Sequence, residues 1–340
     1  KDLGKIKEAE ESQLKAIELK SDFAEAYSNL SHIELLQGNY QSGLKNYEFR
    51  FITKKPSIPH GKVNIKKFTD KKLHIKDKLL IISEQGLGDT IQFMRYIPYL
   101  KKQGYDISFC AQSKLHTLIK SSDIDPNPLT PEEGSVVSEG QWIPLLSLPR
   151  YLKVRPNDPI VNEPYIFPSS ELKYKWQNIL SKEKRPIVGI NWQGNLNMEK
   201  TYHGRSIPLE TFSVLQKENQ ITMLSLQKGF GSEQLEKCSF KNKFIGCQSE
   251  IDSIWDFHEN AAIIDNCDLI ITCDTSIAHL AGGMGKKVWL LLRDIPFWTW
   301  GLESESTFWY PSMRLFRQNE RHNWKEVMDR VLHKLKREYR

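Results

Sequence analysis

Nothing in this chain is spaced to chelate zinc or to be cross-linked. Its five cysteines, Cys110, Cys238, Cys247, Cys267 and Cys273, hold no CxxC pair and are odd in number. That fits free thiols in a reducing compartment and argues against a disulfide scaffold or a structural zinc site. Long apolar runs are missing too. The longest, such as residues 288–292, fall far short of the about 20 residues that a membrane-spanning helix needs. No secretory signal opens the chain. Charge of either sign is scarce as an excess: the net charge of +6 over 340 residues suits a small anionic ligand and does not call for nucleic acid. The positive charge is densest at residues 54–78, with nine lysines but one aromatic, Phe68. A stretch without a stacking platform is expected to be a solvated linker, not a polynucleotide site. Together these absences point to a cytoplasmic protein, at most peripheral to a membrane.

What is present begins with a repeat. Gly4 pairs with Gly38, Ile6 with Tyr40 and Ala9 with Gly43, a period of 34. Tyr27, Leu30, Ile33 and Leu36 mark one apolar helix face, and Tyr40, Leu44, Tyr47 and Phe51 the next. Gly38 stands at the break, where a helix can end in a left-handed turn. Residues 24–53 resemble the tetratricopeptide repeat, with Ser21 where that family usually has Pro and Gly43 where it usually has Ala. About one and a half repeats fall in residues 1–57. Such repeats need a neighbour to bury their faces, so the segment is expected to belong to a longer protein, to lean on the domain behind it, or both. It offers a route to a peptide or protein partner.

Beyond a Lys-rich linker at 58–77, apolar runs alternate with helical stretches, which predicts parallel sheets covered on both faces. The first half, residues 78–184, opens with the run at 79–82 and a helix over 89–102, then a Pro-rich region at 125–168 and a Ser-capped helix after Ser169 or Ser170. The second half, 185–318, restarts at Pro186. A final amphipathic helix at 319–340 begins at the cap Asn323, with Trp324, Val327, Met328, Val331, Leu332 and Leu335 on one face. The expected architecture is α/β, two Rossmann-like domains facing a cleft, preceded by an all-α segment.

The ends of the strands carry the chemistry. Gly86-Leu87-Gly88-Asp89 comes after the first run, but Ile91 occupies the place of the third glycine in a dinucleotide fingerprint. Asp89 admits two readings. It can cap the helix it opens, a contribution of about 0.3–1 kcal/mol, or it can take a proton from a substrate hydroxyl. After the run at 269–272, Asp274, Thr275 and Ser276 open another helix, with His279 one turn on. That is either an anion site of backbone N–H groups or a well-capped helix with His279 in the core. Asn191, Gln193 and Asn195 end a third strand, Lys228 comes after a fourth, and Arg205 lies in a loop between them. Six aromatics crowd residues 297–310. Most of them suit packing, and one or two would serve as a wall for a sugar.

The stretches EQGLGDTIQFMRYIPYL, VGINWQGN with RSIPL, SLQKG, CDTSIAHLAGGMGKKVWLLL and WYPSMRLFRQ together resemble the heptosyltransferase-like glycosyltransferases of family 9, in particular the branch fused to tetratricopeptide repeats. The resemblance spans nearly the whole chain and implies a GT-B fold. It also implies a metal-independent, inverting transfer of a hexosyl, heptosyl or N-acetylhexosaminyl group from a nucleotide-diphosphate sugar, with no further cofactor. By the same resemblance Asp89 is the general base, with Gln85, Gly86 and Gly88 on the acceptor side. The donor falls to Asp274, Thr275, Ser276 and His279, with Lys228, Gln227, Asn191, Trp192, Gly194, Asn195 and Arg205. Heptosyltransferases often have Gly where this chain has Ser276, which leaves the donor sugar open. The acceptor is a glycan or, as the layout of O-linked N-acetylglucosamine transferases suggests, a protein. The alternative is a non-catalytic module that binds a protein or a nucleotide.

Overall fold

The computed structural model describes residues 4–69, 72–75, 77–195, 204–218 and 220–339. The chain divides into two compact units. One comprises Lys1–Asn162 with Ile295–Ser304, the other Glu163–Asp294 with Glu305–Arg340. The division therefore falls ahead of the helix expected after Ser169, which goes with the second unit, and a short later segment returns to the first.

In the first unit, helices α1 (Ile6–Leu19), α2 (Ala24–Leu36) and α3 (Tyr40–Asn46) lead into a 3₁₀ turn, Tyr47–Phe51. Gly38 takes the left-handed φ of 88° that ends α2. Leu30, Ile33, Leu36, Tyr40, Leu44 and Tyr47 are buried, as are Ala26 and Leu35 off that stripe. Burial is this wide because α2 packs on α1, on α3 and on residues 298–300. The arrangement is compatible with the period of 34.

The sheet of this unit has three parallel strands in the order β2-β1-β3: β1 (Lys78–Ile82), β2 (Asp106–Cys110) and β3 (Gln141–Pro144). Central β1 is apolar at every position but its first, as a strand covered on both faces must be. The stretch expected as a solvated linker is docked instead. Phe68 and Leu73 are buried, Phe68 N donates to Trp142 O at 2.8 Å, and His60 N donates to Ser83 O at 2.9 Å. Among the lysines stand Val63 and Ile65, which pack against Leu80, Ile82 and Cys110, and charge density alone does not reveal them. Residues 70, 71 and 76 of that stretch lie outside the described residues.

The second unit holds a five-stranded parallel sheet, order β5-β4-β6-β7-β8: β4 (Ile187–Asn191), β5 (Thr222–Ser225), β6 (Leu269–Cys273), β7 (Val288–Leu292) and β8 (Met313–Arg317). Strands β4, β6 and β7 are buried at every position. One set of alternate residues, including Val188, Ile190, Ile271, Trp289, Leu291 and Phe316, joins a core with Trp324, Val327, Met328, Val331 and Leu335 of the C-terminal helix, Trp324–Glu338. Asn323 caps that helix by accepting from Glu326 N at 3.2 Å. Of the aromatics at 297–310, Trp309 and Tyr310 are buried in this unit, and Trp298 and Trp300 are buried in the first, where Trp298 lies 5.9 Å from Tyr40 and 6.2 Å from Phe93, ring to ring.

Candidate functional site

Two strand–turn–helix junctions carry the candidate side chains, one in each unit. In the first, β1 leads through residues 83–86 into helix α4 (Leu87–Phe93). Asp89 lies in its first turn, partly exposed, and its Oδ2 accepts from Gly86 N at 2.9 Å. A Cβ on residue 86 would stand 3.0 Å from that same oxygen, so glycine there lets the carboxylate fold back over the turn. The capping reading is thus realised, and it fixes the acid at a defined place. Gly88 is partly exposed in the same turn. Gln85 holds a left-handed φ of 61°, and its Nε2 donates to Tyr47 Oη at 2.8 Å. Gln85 therefore leans on the 3₁₀ turn at Tyr47–Phe51. Before it stands Glu84, a fully buried carboxylate that reading the sequence for strand-end polarity passes over. Its signal is an acid closing an apolar run, to be matched with a lone Arg50 among the aromatics of YEFRF.

In the second unit the candidate groups converge on the carboxyl ends of β4, β5 and β6. Asn191 pairs in register with Thr272 across the sheet. Asn191 Oδ1 accepts from Thr275 Oγ1 at 2.8 Å and from Thr272 Oγ1 at 3.2 Å, while its Nδ2 donates to Gln227 Oε1 at 2.8 Å. Gln227 Oε1 also accepts from Trp192 N and Gln193 N at 3.2 and 3.0 Å, and its Nε2 donates to the carbonyls of Gln193 and Phe230 at 2.9 and 2.7 Å. Both amides are buried, so their side chains brace the rim of the site. Trp192 is fully buried, its indole donating to Gly231 O at 3.1 Å. Its ring belongs to the core and not to a ligand surface.

Helix α5 (Ser276–Gly283) starts at this rim, with Thr275 as its cap residue in extended conformation. Thr275 makes no capping hydrogen bond with its side chain; its hydroxyl turns to Asn191 instead. The first N–H groups of a helix have no partner within it, and here the cap side chain does not take them up. Arg205 comes to the same place: its Nη2 stands 2.6 Å, and Thr275 Cγ2 3.4 Å, from the position of a Cβ on Gly194. Asp274, Ser276 and Arg205 are partly exposed, and Asn195 is exposed. Residues 196–203, between Asn195 and Arg205, lie outside the described residues. His279 is buried one turn into the helix, its Nδ1 2.9 Å from Tyr310 Oη. Lys228 is partly buried and donates to Ile251 O. Burial pushes its ammonium down to about 8, with the nearby Asp252 pulling the other way. The α5 start that Thr275 leaves uncapped and the Arg205 guanidinium are groups of the kind that suit a negatively charged ligand, and Lys228 adds a cation beyond the end of β5. Among the described residues no group of three or more His, Cys, Asp or Glu is placed to hold a metal ion, and no helix is long and apolar enough to cross a membrane.

No family model matches the chain. Protein FlbA of Caulobacter vibrioides is 24% identical over 323 residues, an alignment covering 88% of this chain and 53% of that protein. The chain thus spans about half the length of that relative. Among solved structures, Escherichia coli ADP-heptose lps heptosyltransferase II is similar with a TM-score of 0.51 at 13% identity, over 76% of this chain and 98% of that one. A family 9 glycosyl transferase from Veillonella parvula gives a TM-score of 0.49 at 12% identity, over 80% and 92%. The fold is accordingly a mixed α/β one with parallel sheets, similar to that of the heptosyltransferase.

Proposed function

We propose that the chain is a glycosyltransferase that moves a sugar from a nucleoside-diphosphate donor to a hydroxyl acceptor with inversion at the anomeric carbon. The observation that carries this reading is the rim of the second unit, where an α5 start that Thr275 leaves uncapped and Arg205 meet beside a braced Asn191–Gln227–Thr275 network. That rim suits a diphosphate: backbone N–H groups and a guanidinium offer directed donors to its oxygens. Lys228 adds a cation beyond the end of β5. Asp274, Ser276, Asn195 and the His279–Tyr310 pair complete the donor side, while Trp192, Gln227 and Asn191 act by holding it in shape.

Asp89 is the general base of this reading. The acceptor oxygen attacks the anomeric carbon as the bond to the diphosphate oxygen breaks. The bonding pair leaves with the nucleoside diphosphate, and the acceptor proton passes to the Asp89 carboxylate. The bond from Gly86 N favours the ionised form, so Asp89 works by its placement more than by its basicity. The helix amides and Arg205 stabilise charge building on the leaving group, and transfer is expected to survive a chelator. Fold likeness to an ADP-heptose heptosyltransferase supports the donor class and leaves the sugar and base open. The test is a thermal-shift panel of ADP, UDP, GDP and dTDP with their sugars. A bound ligand at about 100 times its Kd stabilises by roughly 2.7 kcal/mol. No shift with any of them, and no consumption of any sugar donor, would overturn the assignment.

A further inference from the structure

Within the first unit, the turn that carries Asp89 is gripped from the N-terminal helical segment. Glu84 is fully buried and Arg50 is 5% exposed. Arg50 Nη2 donates to Glu84 Oε1 at 2.7 Å, and Nε donates to Oε2 at 3.2 Å, a two-pronged pair that planar guanidinium and carboxylate groups favour. The guanidinium is clamped in turn. Its Nη1 donates to Tyr47 O at 2.9 Å and to Glu48 at 3.0 Å, its Nη2 to Ser147 Oγ at 3.0 Å, and its carbon lies 4.3 and 4.1 Å from the rings of Tyr47 and Phe51. Ser57 Oγ donates to Glu84 as well, at 3.2 Å. One residue on, Gln85 is held left-handed by its bond to Tyr47 Oη. The next residue, Gly86, donates its N–H to Asp89.

Holding this turn so firmly needs an explanation beyond stability. A buried ion pair is typically no more stabilising than apolar residues of the same volume. A non-glycine residue at positive φ costs of order 1–3 kcal/mol and persists where its surroundings over-determine it, most often at functional sites. What the pair and the strained residue supply together is a fixed direction for the peptide that ends in Gly86.

We infer that Arg50, Tyr47, Glu84 and Gln85 are positioning residues for Asp89, so that the helical segment is a working part of the catalytic turn and not an appended binding module. The inference rests on the reading of Asp89 as the base. Without the Tyr47 hydroxyl, Gln85 relaxes, Gly86 N and the Asp89 carboxylate lose their fixed distance, and the acid is misplaced while remaining present.

The test uses the full chain with Tyr47→Phe, which deletes one oxygen, and Arg50→Lys, which keeps the charge but not the two-pronged geometry. The first readout is hydrogen–deuterium exchange of the peptide spanning residues 84–90, which needs no donor or acceptor. Exchange at least fivefold faster there, with the second unit unchanged, is expected in Tyr47→Phe. Unchanged protection in Tyr47→Phe overturns the inference, even should Arg50→Lys fail to fold. The second readout is kcat per nucleotide-binding site, which corrects for any unfolded fraction. It is expected to fall tenfold or more in Tyr47→Phe, with donor Kd unaltered; an unchanged kcat per site overturns the inference. Asp89→Asn is measured in parallel. Full turnover there removes the base assignment, whereas lost turnover there beside intact turnover in Tyr47→Phe overturns the positioning role alone.

Discussion

The two helix starts, at α4 and at α5, are built from the same local plan and finished in opposite ways. Each comes after an apolar strand and a short polar turn. At α4 the helix's own carboxylate folds back onto Gly86 N, so an acid occupies the space where the amides would otherwise face out. At α5 the side chain best placed to cap, Thr275, gives its hydroxyl to Asn191, and Arg205 stands alongside. Under the proposed function the first start suits an acceptor that gives up a proton, and the second suits a phosphate. The difference lies in one hydrogen bond at each place, and the proposed function draws on it by giving the acceptor to the first junction and the donor to the second.

The sharpest way to break this contrast is to neutralise the acid. Asp89→Asn keeps an oxygen for Gly86 N and so keeps the turn. Transfer is expected to fall by about 10²–10⁴-fold, the usual worth of a general base, with nucleoside-diphosphate binding unaltered in a thermal-shift titration. Arg205→Ala acts on the other start. Losing a charge-assisted bond of about 1.5–3 kcal/mol weakens nucleoside-diphosphate affinity by roughly 10–100-fold, and calorimetry would show it. Should the same variant leave affinity intact and lower only transfer, Arg205 would belong to the acceptor. Thr275→Val is milder. It takes one of two hydroxyl donors from Asn191 Oδ1 and is expected to lower unfolding stability by about 1 kcal/mol, read from a urea midpoint shift. A gain in diphosphate affinity in this variant would show that the hydroxyl competes with the ligand.

Much of this frame was legible in the sequence for one physical reason. A parallel strand buried on both faces is a continuous apolar run, and β1, β4, β6 and β7 are such runs. Strand β3 was hidden, since its four residues lie in a Pro-rich region and end in Pro144 itself. The helix starts were legible because Gly, Asp, Thr and Ser beside an apolar run have few other uses. Which way each side chain turns was not. Asn191 and Gln227 look like ligand-binding amides, yet they are the brace, because a buried amide and a ligand-facing amide are the same letters. Trp192 sits between polar neighbours and still points into the core. The Arg50–Glu84 pair joins residues 34 apart through packing, and no local periodicity encodes a partner at that distance.

The finest test of the contrast is a titration. If the donor side works by positive charge, Lys228 should matter only while protonated. Burial holds its ammonium at about 8 in the unliganded protein, and a bound diphosphate would raise that value. By linkage, affinity is then full below about 8 and declines above it, since binding at higher pH must take up a proton. Between pH 7.5 and 8.5 the protonated fraction falls about threefold, and affinity for ADP or its counterpart should fall by the same factor. Lys228→Gln should bind more weakly at pH 7 and lose that decline. A decline that survives in Lys228→Gln would belong to another group. No decline in the native chain would mean that Lys228, already bonded to Ile251 O, stays with the scaffold, leaving the helix amides and Arg205 to hold the diphosphate alone.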